Sequence, residues 1–117
     1  MAETPLVSVL VGTRNRVEPL IRCLDSVLRS NYPSLEVLIL DDCSEGLQVC
    51  DIVAERINDP RMVCFRSEQQ LGVAAGRNFL MQRARGDILV VIDDDAVFAN
   101  DAAIRRAVEL LFAAPKT

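Results

Sequence analysis

Gly86-Asp87-Ile88-Leu89-Val90-Val91-Ile92-Asp93-Asp94-Asp95-Ala96-Val97-Phe98 is the stretch whose reading decides the fold. Ile88 to Ile92 is apolar without alternation, which predicts a strand buried on both faces, as strands inside a parallel sheet are. Three carboxylates follow at its carboxyl end. Two such charges ~4 Å apart, at an effective dielectric of about 20, repel by roughly 4 kcal/mol, so this position calls for a neutralising partner. A divalent cation bound through oxygen answers that need, and a solvated acidic turn ahead of the next helix is the plainer alternative.

Working outward, the same arrangement recurs. Leu6 to Val11 is an apolar run interrupted only by Ser8, and it ends at Gly12-Thr13-Arg14-Asn15-Arg16. Val17, Leu20, Ile21, Leu24, Val27 and Leu28 then recur at helical spacing, predicting a helix to Arg29 that Asn31-Tyr32-Pro33-Ser34 stops. Leu35 to Leu40 is the second strand and also ends in acid, Asp41-Asp42. A helix over 47–57, a short strand from Met62 to Phe65 and a helix over 74–85 with Phe79, Leu80 and Ala84 inward follow. After the fourth strand, a helix over 101–113 carries Ile104, Ala107, Val108, Leu111 and Phe112 on one face, with Asn100 as its cap. Strand and helix alternate four times, so the expected fold is α/β, a doubly wound and mostly parallel sheet. With strand order 3-2-1-4, the loops after the first and fourth strands flank the crevice where such sheets bind ligands. The acidic triplet, Asp41-Asp42 and the Gly12 loop converge there. The fourth strand then lies at an edge although its composition is that of a covered strand. Either a longer domain or a second copy of the chain, forming a homodimer through that edge, is expected to cover it.

Composition removes several classes of function. At 117 residues, 50% hydrophobic and 26% charged, the chain is expected to be one domain over 1–117, small for a complete nucleotide-using enzyme. Its net charge of −4 and few aromatic residues argue against nucleic-acid binding. Histidine is absent, which excludes imidazole catalysis and His metal ligands, and Lys116 is the lone lysine. Cys23, Cys43, Cys50 and Cys64 form no C-x-x-C pair, so they read as reduced thiols of a cytoplasmic protein. No signal peptide precedes the first strand, and no apolar run reaches the ~18 residues of a membrane span.

The first loop has a single glycine, Gly12, so neither the dinucleotide G-x-G-x-x-G nor a P-loop is present. A phosphate bound without a glycine cradle needs a metal and arginines. A receiver-type signalling domain shares the length, but it needs paired acids after strand one, where Gly-Thr-Arg-Asn stands, and an aspartate after strand three, where Arg66-Ser67-Glu68 stands.

Five blocks in order, Val7 to Arg16, Ser26 to Pro33, Glu36 to Ser44, Leu71 to Asn78 and Gly86 to Asp95, resemble those of family 2 glycosyltransferases of the GT-A, Rossmann-like fold. The resemblance covers nearly the whole chain. It implies a nucleotide diphosphate sugar as partner, Mn or Mg as cofactor, and inverting sugar transfer to an acceptor hydroxyl. By the same resemblance Gly12, Thr13 and Arg14 line the base pocket, Arg14 standing where an aromatic is frequent. Asp42 binds base or ribose, Arg77 meets nucleotide or diphosphate, Asp95 is the metal ligand, and Asp93 or Asp94 meets ribose or the metal and its water. Asp41 is expected to cap its own turn. The departures are Cys43 for the usual glycine, Glu45-Gly46 for Thr-Asp, and Ser30 for glutamine. No carboxylate remains over for a catalytic base, so the chain reads as a truncated, donor-binding half, inactive alone. The other reading is a noncatalytic nucleotide-binding or assembly module of the same fold.

Overall fold

A computed structural model of the protein describes residues 4–113; Lys116 lies outside them. The elements are β1 (Val7–Thr13), α1 (Glu18–Leu28), β2 (Leu35–Asp42), α2 (Val49–Arg56), β3 (Met62–Ser67), α3 (Val73–Arg83), β4 (Ile88–Asp93) and α4 (Ala103–Ala113). The strands make one parallel sheet, as the alternation of elements predicts, and their order is β3-β2-β1-β4, the one supposed for the sequence. Val7 stands opposite Leu35 and Ile88, and Gly12 stands opposite Leu40 and Asp93. This register sets the carboxyl ends of the three strands level, so their end residues share one rim.

The odd residues of β1, Val7, Val9 and Val11, face α1, α2 and α4 together with Val37 and Ile39 of β2. Leu20, Cys23, Leu24 and Val27 recur at intervals of three and four, so one stripe of α1 meets this face, and all four are fully buried. Each such Leu or Val contributes about 1.5–3 kcal/mol by leaving water. The even residues Leu10, Leu38 and Leu40 face the other way and pack under Leu80 of α3, with Phe65, Phe79 and Ala84 at the margin. The third crossover has therefore changed sides of the sheet, which makes the gap between β1 and β4 the place where winding reverses.

Five expectations need correction. β4 is not buried on both faces: Ile88, Val90 and Ile92 pack into the larger core, whereas Leu89 and Val91 stay about 40% exposed. The reason is that α3 lies over β1 and β2 and does not extend to β4. In α4, Ile104 and Val108 are buried against the sheet, but Ala107 and Leu111, expected on the same face, are exposed.

Cys50 and Cys64 are not free thiols. The crossover from α2 to β3 brings their Cα atoms to 5.5 Å, and they form a disulfide, while Cys23 and Cys43 remain free. The cysteine argument for a cytoplasmic location falls with them.

Finally, α3 ends at Arg83, short of Arg85. Ala84 turns extended, and the next two amides are drawn to buried acceptors: Arg85 N–H donates to Glu36 Oε2 at 2.8 Å and Gly86 N–H to Ser8 Oγ at 2.8 Å. Ser8 Oγ in turn donates to Glu36 Oε2, so the polar break in β1 is the anchor of the α3–β4 turn. Asn100, expected to cap α4, stands three residues ahead of its first residue Ala103: its Oδ1 accepts from Ala102 N–H at 2.9 Å and closes the turn that leads into the helix, so the helix itself is not capped by it. Among the described residues no helix is long and apolar enough to cross a membrane.

Candidate functional site

The carboxyl ends of β1, β2 and β4 and the start of α3 enclose a crevice of about 470 Å³, within the ~300–1,000 Å³ of small-ligand sites. Gly12, Thr13, Arg14, Asp42, Arg77, Asp93, Asp94 and Asp95 all line it. So do Gly72 and Gly76 of the α3 entry, and the apolar floor is Leu10, Leu40 and Leu80. A side chain at position 76 would stand 3.2 Å from Leu40 Cδ2, so glycine there keeps α3 close to the sheet.

At the end of β2 the carboxylates are committed to the protein. Asp41 is fully buried; its Oδ2 accepts from Arg66 Nη1 at 2.7 Å and its Oδ1 from Ser44 N–H at 3.1 Å. The turn-capping role expected for Asp41 is present, with a charge partner from β3 added. Asp42 does not cap α2. It accepts from Leu71 N–H at 2.7 Å and Gly72 N–H at 2.9 Å, and so fixes the loop that opens α3. Cys43 then takes a left-handed conformation, φ 62°, which explains why glycine is the usual residue of this position.

The two loops are also stitched to each other. Asn15 N–H donates to Ser44 Oγ and Glu45 N–H to Asn15 Oδ1, both at 2.8 Å. Arg14 reaches Glu45 with Nη2–Oε1 3.0 Å, while its buried Nε–H has no partner among the described residues.

At the end of β4 the carboxylates are divided. Asp94 is 13% exposed, its Oδ2 accepting from Thr13 Oγ1 at 2.9 Å and its Oδ1 from Arg16 Nη1 at 3.2 Å. Asp93 and Asp95 are 78% and 62% exposed and meet only long ion pairs, Arg77 Nη2 to Asp93 Oδ1 at 3.8 Å and Arg16 Nη1 to Asp95 Oδ2 at 3.6 Å. The backbone beneath is tied to α1: the Cys23 thiol donates to Asp93 O at 3.6 Å, and Phe98 N–H donates to Ser26 Oγ at 3.1 Å. Burial, and then the charges of Asp94, Asp95 and Asp93, push the Cys23 thiol up to about 12, so it stays protonated as a donor.

Arg16, Glu45 and Arg66 are site-region residues that the sequence reading left without a role. Arg16 closes the first of the family-like blocks, but no spacing rule pairs it with a turn 78 residues away.

Oxygen donors on two exposed side chains and no imidazole suit a hard divalent cation. Among the described residues, however, no three His, Cys, Asp or Glu side chains gather into a ready-made cage. Mg²⁺ and Mn²⁺ sites of this donor type take one or two carboxylates and complete the shell with phosphate oxygens and water, so Asp93 and Asp95 fit a metal that arrives with its ligand.

A doubly wound sheet with its polar groups collected at the switch crevice places the chain among the α/β proteins, in which that crevice is the usual ligand position. Comparison with known proteins narrows the class. The model of Glycosyl transferase family 2 matches residues 8–117, and the chain belongs to that family. It is 36% identical over 95 residues to the putative colanic acid biosynthesis glycosyl transferase WcaA of Escherichia coli, covering 81% of this chain and 34% of that protein. Over 90 residues it is 29% identical to the UDP-Glc:alpha-D-GlcNAc-diphosphoundecaprenol beta-1,3-glucosyltransferase WfaP of Escherichia coli, covering 77% and 35%. Among solved structures, the mannosyltransferase PcManGT of Pyrobaculum calidifontis, in complex with GDP-Man and Mn2+, superposes with TM-score 0.86 at 28% identity, over 97% of this chain and 34% of that one. S. aureus TarS 1-349 with UDP-GlcNAc gives 0.82 at 25% identity, over 92% and 31%. The fold is GT-A, and the chain spans about a third of the length of these relatives.

Proposed function

We propose that this chain is the donor-binding part of a glycosyltransferase that takes a nucleotide diphosphate sugar, with Mn or Mg, and passes the sugar to an acceptor hydroxyl with inversion. The observation that carries this reading is the level rim, where Asp42, Arg77 and the two exposed carboxylates Asp93 and Asp95 face one crevice. Family membership and the nucleotide-sugar complexes of the structural neighbours support it.

In this reading Gly12, Thr13 and Arg14 border the base. Gly12 has open space around it, so the base edge approaches backbone there. Asp42, already holding the α3 loop through two amides, sets the depth of the nucleoside. Arg77, half exposed on the first turns of α3, moves its guanidinium from Asp93 to the diphosphate, an exchange that costs little because a 3.8 Å exposed pair is weak. Asp95 and Asp93 hold the metal, which when bound neutralises charge on the departing diphosphate. Thr13 and Asp94 fasten the β1 loop to the β4 turn, which keeps those carboxylates aimed into the crevice. Every carboxylate of the crevice is thereby occupied with donor, metal or loop. Proton removal from an acceptor falls to residues beyond this set, and the chain alone binds donor without transferring sugar. The uncovered flank of β4, with Leu89 and Val91, supports self-association through that edge.

Calorimetry with UDP and GDP, each with and without Mn2+, tests the reading. Nucleotide binding that strengthens with Mn2+ is expected, and its absence for both nucleotides sinks the proposal.

A further inference from the structure

Arg16 sits where a cation is wanted. Its Nη1 lies 3.2 Å from Asp94 Oδ1 and 3.6 Å from Asp95 Oδ2, and its side chain is half exposed at the mouth of the crevice. The two contacts are unequal. Asp94 is nearly enclosed and is also held by Thr13, whereas Asp95 is mostly open to solvent. A guanidinium cannot lose its proton, so this positive charge is permanent.

We infer that Arg16 is the resident counter-ion of the acidic turn: it occupies Asp95 in the ligand-free chain and yields that carboxylate when metal and diphosphate arrive together, keeping its hold on Asp94. The inference rests on the donor-binding reading above and adds to it a residue that couples the two ligands. A divalent cation arriving alone has to displace Arg16 from Asp95 and bind beside its charge. A diphosphate changes that balance, because it offers the guanidinium a bidentate anion within the same crevice. Metal and nucleotide therefore favour each other, and by linkage each strengthens the other by the same factor. Arg16 acts here as a positioning residue, since it works through Asp95. Of the neighbouring cations, Arg14 is turned to Glu45 at 3.0 Å on the β2 side, and Arg77 stands 3.8 Å from Asp93, so Asp95 is met by Arg16.

The test compares Mn2+ binding, read from the free-ion paramagnetic resonance signal, with and without UDP or GDP in the wild type and in Arg16→Met. The variant is expected to bind Mn2+ alone about two- to fivefold tighter, the range set by an exposed ion pair, and to show a mutual strengthening of metal and nucleotide smaller by the same factor. Arg16→Gln should behave as Arg16→Met does, and Arg16→Lys should stay near the wild type because it keeps the charge. Arg29→Met, which removes an equal charge from an exposed pair with Asp25 on α1, should leave Mn2+ affinity unchanged. Thermal unfolding of each variant separates a folding defect from a binding effect. A folded Arg16→Met or Arg16→Gln with Mn2+ affinity equal to or weaker than that of a binding wild type overturns this inference alone. A wild type without metal-dependent nucleotide binding overturns the reading beneath it as well.

Discussion

The two acidic strand ends of this sheet look alike in sequence and do opposite things. At the end of β2, Asp41 and Asp42 give their oxygens to Arg66, to the Ser44 amide and to the amides of Leu71 and Gly72. At the end of β4, Asp93 and Asp95 remain mostly in solvent, and only Asp94 is enclosed. The lesson is that an acidic strand end is a loop builder when neighbouring backbone and cations converge on it, and a ligand site when the neighbours stop short. β1 is the hinge between the two: its loop lends Asn15 to the β2 side and Thr13 and Arg16 to the β4 side.

The sharpest way to break this contrast is to remove one carboxylate from each end. Asp41→Ala leaves Arg66 and the Ser44 amide without their acceptor and is expected to cost about 3 kcal/mol, toward the low end for a buried pair because Arg66 is a quarter exposed. Asp95→Ala is expected to change stability by less than about 0.5 kcal/mol, as exposed sites do. Urea unfolding of the two variants measures both; equal losses would erase the distinction.

A third committed carboxylate, Glu36, extends the comparison to the opposite end of the sheet. Burial pushes the Glu36 carboxyl up, but the Ser8 hydroxyl and the Arg85 amide and guanidinium outweigh it, so its pKa lies below the ordinary 4.5. A group with a depressed folded pKa stabilises above its unfolded value and loses that contribution as pH falls through the folded one. Stability should therefore drop on acidification below about pH 4.5, and Glu36→Gln should make this acid limb shallower, as followed by unfolding midpoints from pH 6 down to pH 2. An unchanged limb in the variant would place the acid-sensitive group elsewhere.

The smallest effect concerns the bend after Asp42. Cys43 holds φ 62°, where a side chain costs about 1–2 kcal/mol relative to glycine. Cys43→Gly should recover about 1 kcal/mol after the added freedom of the unfolded chain is subtracted. A destabilised variant would show that the thiol contact to Glu68 O outweighs the strain.

The sheet was legible because its signal is local: apolar runs of strand length, three of the four closed by Gly-Thr or by acid, alternate with stripes at helical spacing. The strand order 3-2-1-4 entered as a condition and not as something a residue dictates; under it the ends of the first and fourth strands flank one crevice. The division of labour among the carboxylates was not legible. Whether Asp42 meets Gly72 or Asp94 meets Arg16 depends on the level register of three strands and on loop conformations such as left-handed Asn15. The disulfide escaped for a related reason: Cys50 and Cys64 are 14 residues apart, and only the α2–β3 crossover makes them neighbours. The run Ile88 to Ile92 records apolar character on both faces of β4, yet cover depends on where α3 lies, and α3 lies over the other strands.

Titration calorimetry of the wild type and Asp95→Asn with UDP and GDP, in the presence and absence of Mn2+, tests the central claim most directly. The account predicts that Mn2+ strengthens nucleotide binding to the wild type and that Asp95→Asn, folded to the same unfolding midpoint within about 2 °C, loses that strengthening while keeping the metal-free affinity. Equal Mn2+ dependence in both proteins would contradict it.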